Sequence, residues 1–268
     1  HPVQMASEKE PRDGQQSPPQ PQGTNEPIQP ALLPCQPAAA GTPLAAGQLV
    51  LVRHGESVAN ANRELSGWQD SALTSQGEAQ ALCVARQLRE ANWSPELAFC
   101  SVLQRARRTC QIICCQLSPA ATAGFEGRES PVCPIQTSWQ LNEQMYGTLV
   151  GQANRRGVLS AWNDRPPPLA RSDPLWPGHE AKYDGVPRDL LPESETCLEA
   201  FDRVRGYFAK AIAPQVLAGR RVLWVGHGGV FHSFVLRTVG QNVHFVNCQP
   251  YLLLLNRHGW PVGIESCF

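Results

Sequence analysis

The sequence predicts an α/β fold of three layers, with helices on both faces of a mainly parallel sheet. Short apolar runs alternate along the chain with segments whose apolar residues recur at helical spacing. This alternation is typical of folds built from strand–helix–strand units. Two of the apolar runs end directly in His-Gly, at His54 and at His227. Ligand sites in such folds lie outside the carboxyl ends of the strands, so the two histidines also indicate where a functional site would be.

Four apolar runs are predicted to be strands. A continuous apolar run without alternation suits a strand that is buried on both faces of the sheet. The predicted strands are Gln48 to Val52, Leu97 to Cys100, Arg221 to Val225 and Pro250 to Asn256, the last with four consecutive leucines.

Three helices are predicted from helical spacing of apolar residues. The second covers Leu103 to Leu117. The first begins at a capping-box pattern, and its residues are Ser75 and Glu78 at the start, then Ala81, Leu82, Ala85 and Leu88 on the apolar face. The third has its apolar face at Leu198, Phe201, Val204, Phe208 and Ile212.

The chain is predicted to consist of a disordered tail, residues 1–46, and one catalytic domain, residues 47–268. The tail is rich in Pro and Gln and has few large apolar residues, so it cannot bury enough surface to offset the entropy of ordering. Inside the domain, Thr148 to Pro192 is Pro-rich and weakly periodic. An irregular segment of that length in a compact domain is usually functional or disordered, and we interpret it as a lid near the site.

Composition restricts the classes of partner. Lys+Arg and Asp+Glu both number 23, so the formal net charge is zero, which argues against a nucleic acid or an anionic membrane as partner. We expect a small phosphorylated metabolite as partner instead.

The ten cysteines show no CxxC pair, so we expect no metal. We interpret them as reduced, mostly buried thiols of a cytoplasmic protein. The sequence begins at His1 rather than Met, so an organellar targeting peptide stays an open alternative.

His54 is the candidate nucleophile. It follows a buried strand and lies between Arg53 and Gly55. An imidazole can attack a phosphoryl group when one ring nitrogen is unprotonated and the other is held by a hydrogen bond. Arg53 can donate two hydrogen bonds to phosphate oxygens, and Gly55 lets the backbone approach the ligand. The alternative is a histidine that merely ends a strand, and the tripeptide alone does not decide between the two.

His227 and Arg105 strengthen the functional interpretation. His227 also ends a predicted buried strand, and two such histidines on one parallel sheet can converge on a single crevice, where a cationic or hydrogen-bond-donating imidazole would neutralise phosphoryl oxygens. Arg105 lies in the first turn of a predicted helix, where it can bind an anion together with the helix N-terminus. Arg107 and Arg108 are expected to be solvated, because one helix cannot aim three neighbouring side chains at one point.

Glu143 is a candidate for proton transfer. A leaving alkoxide needs a proton and an attacking hydroxyl must lose one, and a carboxyl group can serve both steps. From composition and spacing alone, Glu56 and Glu78 are equally eligible.

The motifs taken together resemble the cofactor-dependent phosphoglycerate mutase family of the histidine phosphatase superfamily. The resemblance covers about residues 48–268, with the motifs in family order. They are Leu51 to Ser57 with Asn60, Ser66 to Asp70 with Leu73, Ser101 to Ala106, Trp139 to Glu143, Tyr146-Gly147, Leu149 to Gly151, Pro177 to His179 with Tyr183, Glu195-Thr196 and His227-Gly228.

The resemblance implies a phosphoglycerate mutase-like fold and a phosphohistidine at His54. Its further implications are an isomerase that interconverts 3-phosphoglycerate and 2-phosphoglycerate in glycolysis, 2,3-bisphosphoglycerate as the phosphoryl primer, and a homodimer. By the same resemblance, Glu143 would be the proton donor and acceptor. The phosphoryl group would be bound by Arg53, Asn60, Arg105, His227 and the Gly228 backbone, and the substrate would be contacted by Ser66, Gly67 and Tyr146.

The sequence departs from the family where the substrate's other anionic groups are bound. Gln144-Met145 replace an Arg-His pair, and Gly229 replaces an Asn. Asn154 occupies a position where the family has a Lys, and Asn163-Asp164 occupy the positions of an Arg pair. The cations that remain nearby in the sequence are Arg155, Arg156 and Arg165. Losing a charge-assisted contact typically costs about 1.5–3 kcal/mol, so we expect weakened mutase specificity.

Two other functions remain open at this stage. The first is a phosphatase on the same scaffold, in which water takes the phosphoryl group from His54. The second is a non-catalytic protein that binds a phosphorylated ligand and uses its Pro-rich tail for interaction. The retained transfer residues Arg53, His54, Arg105, Glu143 and His227 argue against the second.

Overall fold

The computed structural model describes residues 44–118, 131–153 and 164–267. Of the predicted disordered tail, residues 1–43 lie outside this part of the chain. Leu44 forms a β-bridge with Asn256, and the Ala45 amide donates to the Leu255 carbonyl at 2.8 Å, so these two residues of the predicted tail pair with the folded chain. The boundary between tail and domain stays a prediction.

The described chain forms one six-stranded sheet in the order β3-β2-β4-β1-β5-β6. The pairs β3–β2, β2–β4 and β4–β1 are parallel, and β1–β5 and β5–β6 are antiparallel. The strands are β1 (Gln48–Arg53), β2 (Leu97–Cys100), β3 (Ile135–Thr137), β4 (Arg221–Gly226), β5 (Pro250–Leu255) and β6 (Pro261–Ser266). The predicted mainly parallel sheet is therefore confirmed, with an antiparallel edge that was not predicted.

Helices cover both faces of this sheet. They are α1 (Val58–Ala61), α2 (Ser75–Glu90), α3 (Gln104–Gln116), α4 (Cys197–Tyr207), α5 (Ala213–Leu217) and α6 (Gly228–Val239). A π-helical turn, Phe208–Ile212, joins α4 to α5. One face of β1 packs Val50 and Val52 against α2 and α3, and the other packs Leu49 and Leu51 against α4 and α6. The alternate burial of successive side chains explains the continuous apolar run.

Three details of the predicted helices are wrong. The N-cap of α2 is Thr74 rather than Ser75, because the Thr74 hydroxyl accepts the Gly77 amide. Leu82 and Leu198 face solvent, with 46% and 44% of their surface exposed. Both lie at the margin of an apolar stripe, where helical spacing alone cannot separate core from surface.

The irregular segment predicted between Thr148 and Pro192 contains short 3-10 turns, at Pro177–His179, Ala181–Tyr183 and Arg188–Leu190. It packs around a small separate core, whose members are Trp68, Met145, Leu169, Trp176, Tyr183 and Leu191. Its residues 154–163 fall outside the described ranges, so its interpretation as a lid stays a prediction.

Five of the described cysteines are buried free thiols: Cys100, Cys110, Cys114, Cys133 and Cys248. No helix within the described ranges is long and apolar enough to cross a membrane.

Candidate active site

His54 and His227 meet because their strands are neighbours. β1 and β4 are parallel and in register, with Arg53 paired to Gly226, so both strands deliver their next residue to the same edge of the sheet. The ring centroids of the two histidines are 5.2 Å apart. The convergence predicted from the sequence is thus present.

The His54 ring is prepared as a nucleophile. Its Nδ1 donates to the Gly55 carbonyl at 2.7 Å, which leaves Nε2 as the unprotonated nitrogen. Burial, and then the charges of Arg105 and Arg53, hold the pKa of His54 well below its usual range. The ring is therefore neutral at physiological pH and keeps a lone pair on Nε2.

Two arginines flank that lone pair. Arg105, which is only 1% exposed, donates from Nε to His54 Nε2 at 3.3 Å. Its other nitrogens donate to the carbonyls of Gly67 at 2.8 Å and Gln69 at 3.1 Å, which fix the guanidinium. Arg53 donates from one terminal nitrogen to the Phe245 carbonyl at 2.9 Å, and its buried Nε has no partner among the described residues. Such a donor is free for a phosphoryl oxygen.

His227 is a neutral hydrogen-bond donor in this arrangement. Burial first, and then Arg105 and His54, hold its pKa well below the usual range. Its Nε2 lies 2.7 Å from Ser101 Oγ, which also accepts the Leu103 amide. We assign the Ser101 hydroxyl as the donor to Nε2, which places the single N–H of the neutral ring on Nδ1. That atom is buried and unpaired within the described ranges, as a donor to an incoming phosphoryl oxygen would be.

Glu143 lies across the cavity from the sheet edge, at the N-terminus of α6. Its Oε1 accepts the amides of Gln144 at 2.9 Å and Val230 at 3.1 Å, and its Oε2 accepts the Gly229 amide at 3.1 Å. The carboxyl group satisfies two of the helix amides that lack an intrahelical partner. It is 8% exposed and lines the cavity, whereas Glu78, one of its rivals in the sequence, forms an exposed ion pair with Arg108.

A cavity of about 480 Å³ opens over these groups. The predicted residues that line it are Arg53, His54, Asn60, Ser66, Arg105, Glu143, Tyr146 and Gly228. Gly67 does not line it and acts instead through its carbonyl, which holds Arg105. His227 lies behind His54, fully buried.

Two residues near the nucleophile were missed by the sequence analysis. Asn247 donates from Nδ2 to the His54 carbonyl at 2.7 Å and to Asn60 Oδ1 at 3.3 Å. Thr109 accepts the Gly55 amide at 3.0 Å and donates to the Arg105 carbonyl at 2.8 Å, which ties the loop of His54 to α3. Neither residue carries a signal in the sequence, because a lone Asn or Thr is equally common in turns and helices.

The departures from the family pattern differ in their relation to the cavity. Gln144 lines it, but its side chain is tied to the Glu195 carbonyl at 2.7 Å and to the Cys197 thiol at 3.2 Å. Met145 is 1% exposed and packs into the small core with Trp68, so the expectation that it faces the substrate is wrong. Asn154 and Asn163 lie outside the described residues, as do Arg155 and Arg156.

The Lys and Arg side chains on the described part of the cavity wall are Arg53 and Arg105, both beside His54, and the wall also contains the imidazoles of His232 and His244. Arg165 is not part of that wall and pairs with Glu199. The carboxylates on the wall are Glu64, Glu143 and Asp164. Within the described ranges no group of three or more His, Cys, Asp or Glu side chains is placed to hold a metal ion.

Comparison with known proteins agrees with this geometry. The sequence model of the histidine phosphatase superfamily (branch 1) matches residues 49–260. A 2,3-bisphosphoglycerate-dependent phosphoglycerate mutase of Nitratidesulfovibrio vulgaris is 36% identical over 203 residues, which are 72% of this chain and 77% of that protein. The enzyme of the same name from Maricaulis maris is 33% identical over 199 residues, 70% of this chain and 77% of that protein.

Solved structures are similar in fold. The alpha-ribazole phosphatase of Shigella flexneri superposes with a TM-score of 0.55 at 21% identity, covering 82% of this chain and 95% of its own. A mycobacterial glucosyl-3-phosphoglycerate phosphatase gives a TM-score of 0.53 at 21% identity, covering 82% and 98%. At such identities the similarity concerns the fold alone. The chain belongs to the histidine phosphatase superfamily (branch 1).

Proposed function

We propose that this histidine phosphatase superfamily member transfers a phosphoryl group through His54 and acts on phosphoglycerates as a mutase. The observation that carries the proposal is the state of His54. Its Nδ1 is held by the Gly55 carbonyl, its Nε2 is unprotonated, and two arginines lie beside it at the base of a cavity. The relatives named phosphoglycerate mutase, at 33–36% identity, support the choice of substrate.

In the first step His54 Nε2 attacks the phosphorus atom, so that an N–P bond forms and the P–O bond to the substrate breaks. Charge then develops on the three peripheral oxygens. Arg53 Nε and His227 Nδ1 are buried and have no partner among the described residues, and we propose that they donate hydrogen bonds to two of these oxygens. Arg105 and Asn60 line the same end of the cavity. Fixed donors of this kind stabilise a transition state because they need no reorganisation during the reaction.

Glu143 is the proposed proton donor to the leaving oxygen. The alkoxide produced by P–O cleavage gains the proton of the Glu143 carboxyl, and the reverse transfer activates the hydroxyl that later attacks the phosphohistidine. In a mutase that hydroxyl belongs to the same phosphoglycerate at its other position. Three backbone amides hold the carboxyl in a single orientation.

Priming by 2,3-bisphosphoglycerate supplies the phosphoryl group on His54. The unpartnered donors on Arg53 and His227 fit one phosphoryl group of this compound. For its remaining anionic groups the described wall offers no further Lys or Arg, and it offers the imidazoles of His232 and His244. We propose Arg53, His54, Asn60, Arg105 and the Gly228 backbone as the residues that hold the transferred group.

A second candidate is a phosphatase of the same superfamily, in which water replaces the second hydroxyl. The lack of a further Lys or Arg on the described wall favours it, because Arg53 and Arg105 serve the transferred phosphoryl group and the carboxylate of a phosphoglycerate then has no Lys or Arg partner there. Without a contact to the carboxylate, the phosphoglycerate would dissociate more readily from the site. Water could then attack the phosphohistidine in place of its hydroxyl. We therefore expect a mutase with a raised KM and appreciable phosphatase leakage.

Product analysis with 3-phosphoglycerate, with and without 2,3-bisphosphoglycerate, separates the candidates. A mutase yields 2-phosphoglycerate in a primer-dependent way, and a phosphatase yields inorganic phosphate without a primer. A protein that yields neither product would be the non-catalytic alternative. Radioactive bisphosphoglycerate should also label the wild-type chain in an acid-labile form and fail to label His54→Ala. Equal labelling of both would refute the assignment of the nucleophile.

A further inference from the structure

A buried ion pair lies directly behind Glu143 and outside the cavity wall. Arg203, on α4, donates from Nε to Glu195 Oε1 and from a terminal nitrogen to Glu195 Oε2, both at 2.7 Å. The two side chains are 8% and 6% exposed. A buried pair of this kind is costly to desolvate, so its retention calls for further hydrogen bonds to the same groups.

The other hydrogens of Arg203 donate to the backbone that leads into Glu143. One terminal nitrogen donates to the carbonyls of Gln140 at 3.0 Å and Asn142 at 3.1 Å, and the other donates to the Glu143 carbonyl at 3.2 Å. That last carbonyl also accepts Trp68 Nε1 at 2.6 Å, and the guanidinium lies 5.3 Å from the centre of the Trp68 ring. The main chain of Glu143 is thus fixed from two sides.

Glu195 holds the chain on the far side of Glu143. Its Oε2 accepts the Met145 amide at 3.0 Å, and its own amide donates to the Met145 carbonyl at 2.8 Å. Its carbonyl accepts Gln144 Nε2 at 2.7 Å. The ion pair therefore contacts the backbone both before and after Glu143, while the Glu143 carboxyl reaches across to the amides of Gly229 and Val230.

We infer that Arg203 and Glu195 are positioning residues, which hold the Glu143 carboxyl at the reacting oxygen without touching the substrate. The inference rests on the proposed function in one respect, that Glu143 transfers the proton. Misplacement of a catalytic group by about 1 Å can cost about 10²-fold in rate. A shift of the backbone at residues 140–145 would move the Glu143 carboxyl while leaving His54, Arg53 and Arg105 in place on the sheet edge and α3.

The variants are chosen so that the fold survives. Arg203→Met with Glu195→Gln removes both charges and leaves no uncompensated buried ion. Arg203→Lys keeps the charge and loses the planar fork that reaches several carbonyls at once. Arg205→Met is the matched control, since Arg205 lies on the same helix with 46% of its side chain exposed, where it forms an i,i+3 ion pair with Asp202 and lies over the Phe201 ring.

The kinetic test compares 3-phosphoglycerate with p-nitrophenyl phosphate, whose leaving group needs little protonation. Both the double variant and Arg203→Lys should lose about 10²-fold in kcat on phosphoglycerate and less than about 10-fold on p-nitrophenyl phosphate. Adding Glu143→Gln to the double variant should cause no further loss on phosphoglycerate. If Glu143→Gln alone spares p-nitrophenyl phosphate, then equal losses of the double variant on both substrates, or additive losses with Glu143→Gln, would show a merely structural pair and overturn the inference.

A second measurement is independent of the role of Glu143 in the reaction. Amide hydrogen exchange at Gly229 and Val230 should quicken at least about 10-fold in the double variant, because those amides lose their carboxyl partner. Arg205→Met should leave both rates unchanged. If exchange quickens but Glu143→Gln affects both substrates alike, the positioning holds and the proposed proton transfer fails. Unchanged exchange at both amides in the double variant overturns the positioning itself.

Discussion

Gly229 is the residue that allows Glu143 to sit at the N-terminus of α6. A Cβ atom at position 229 would lie 2.8 Å from Glu143 Oε1, which is closer than such atoms approach in folded proteins, and a tight 3.3 Å from Oε2. The obstacle is the end of a flexible side chain, so the carboxyl would move rather than the helix. The replacement of the family's Asn by Gly229 therefore coincides with the hydrogen bond from the Gly229 amide to Glu143.

Gly229→Ala should displace the Glu143 carboxyl and lower kcat on phosphoglycerate by about 10-fold or more, because geometry limits general acid catalysis. The free energy of unfolding should fall little, since Ala favours helix over Gly by about 1 kcal/mol. Gly206→Ala on α4 is the control, because a Cβ there meets no atom within 4 Å. Steady-state kinetics and urea unfolding test both claims, and an unchanged kcat in Gly229→Ala would contradict them.

Met145 behaves as a core residue, although the sequence suggested a contact with substrate. Its side chain packs with Trp68 and Trp176, and it is 1% exposed. Met145→His would bury a polar ring, at a cost of about 1–3 kcal/mol if it gains no hydrogen bond. Met145→Leu, which conserves volume, should cost less than about 1.5 kcal/mol. Urea unfolding measures the difference in the free energy of unfolding between the two variants. Equal values would mean that a polar side chain can be accommodated at position 145, against its assignment to the core.

Gln144 does line the cavity, so it is the position at which a cation can be restored. Gln144→Arg should lower the KM for phosphoglycerate and raise the ratio of mutase to phosphatase product, because a charge-assisted hydrogen bond contributes about 1.5–3 kcal/mol. Gln144→Met, of similar length and without charge, is the control. The ratio of 2-phosphoglycerate to inorganic phosphate gives the result. If Gln144→Arg improves neither the KM nor this ratio, the substrate would be expected among phosphoesters that lack a carboxylate.

At the scale of elements, the parts with strong local signals could be predicted and the parts held by distant residues could not. β1, β2 and β4 carry continuous apolar runs, and their helices carry clear helical spacing. β3 has three residues and only an intermediate or exposed surface, and β6 is interrupted by Gly263, so neither has a hydrophobic pattern to detect. The direction of β5 depends on its pairing with β1, which no local pattern encodes.

The candidate site follows the same rule. His54, Arg53 and His227 could be found because each adjoins a recognisable strand, and Glu143 needed the family resemblance. Asn247 could not be found, because its role exists only where the loop between α6 and β5 folds back onto β1. That loop is attached there by the Cys248 amide, which donates to the Arg53 carbonyl at 2.9 Å.

Asn247→Ala should therefore impair the nucleophile from a position that is distant in sequence. It removes the hydrogen bonds to the His54 carbonyl and to Asn60 Oδ1, each worth about 1 kcal/mol in stability. We expect kcat to fall about 10-fold on p-nitrophenyl phosphate and on phosphoglycerate alike, since both substrates must be attacked by the same His54 ring whatever their leaving group. Asn242→Ala, on the same loop, is the control. A loss confined to phosphoglycerate would place Asn247 with the acid rather than with the nucleophile.

At the scale of the whole molecule, a chain of zero formal net charge places two buried, neutral histidines beside two arginines. His54 and His227 lie with Arg53 and Arg105 at the end of the sheet, and burial together with these arginines lowers the pKa of both histidines well below the ordinary value. In the unfolded chain both would titrate near pH 6.5. The folded protein therefore binds fewer protons than the unfolded chain just below that pH.

The sign of the effect on stability follows from this difference. Above pH 6.5 both states carry neutral histidines, and neither residue makes stability depend on pH. As the pH falls below 6.5, the unfolded chain takes up protons that the folded site does not bind, so the free energy of unfolding falls by up to about 1.4 kcal/mol per pH unit for each histidine.

His227→Gln should remove one of the two contributions and so reduce the slope of the free energy of unfolding against pH between pH 6.5 and pH 5. Urea unfolding at half-unit intervals measures that slope, with His258→Gln, exposed and distant in the β5–β6 turn, as the control. A slope in His227→Gln equal to that of the wild type would mean that the folded protein protonates His227 as readily as the unfolded chain does, and that burial does not lower its pKa.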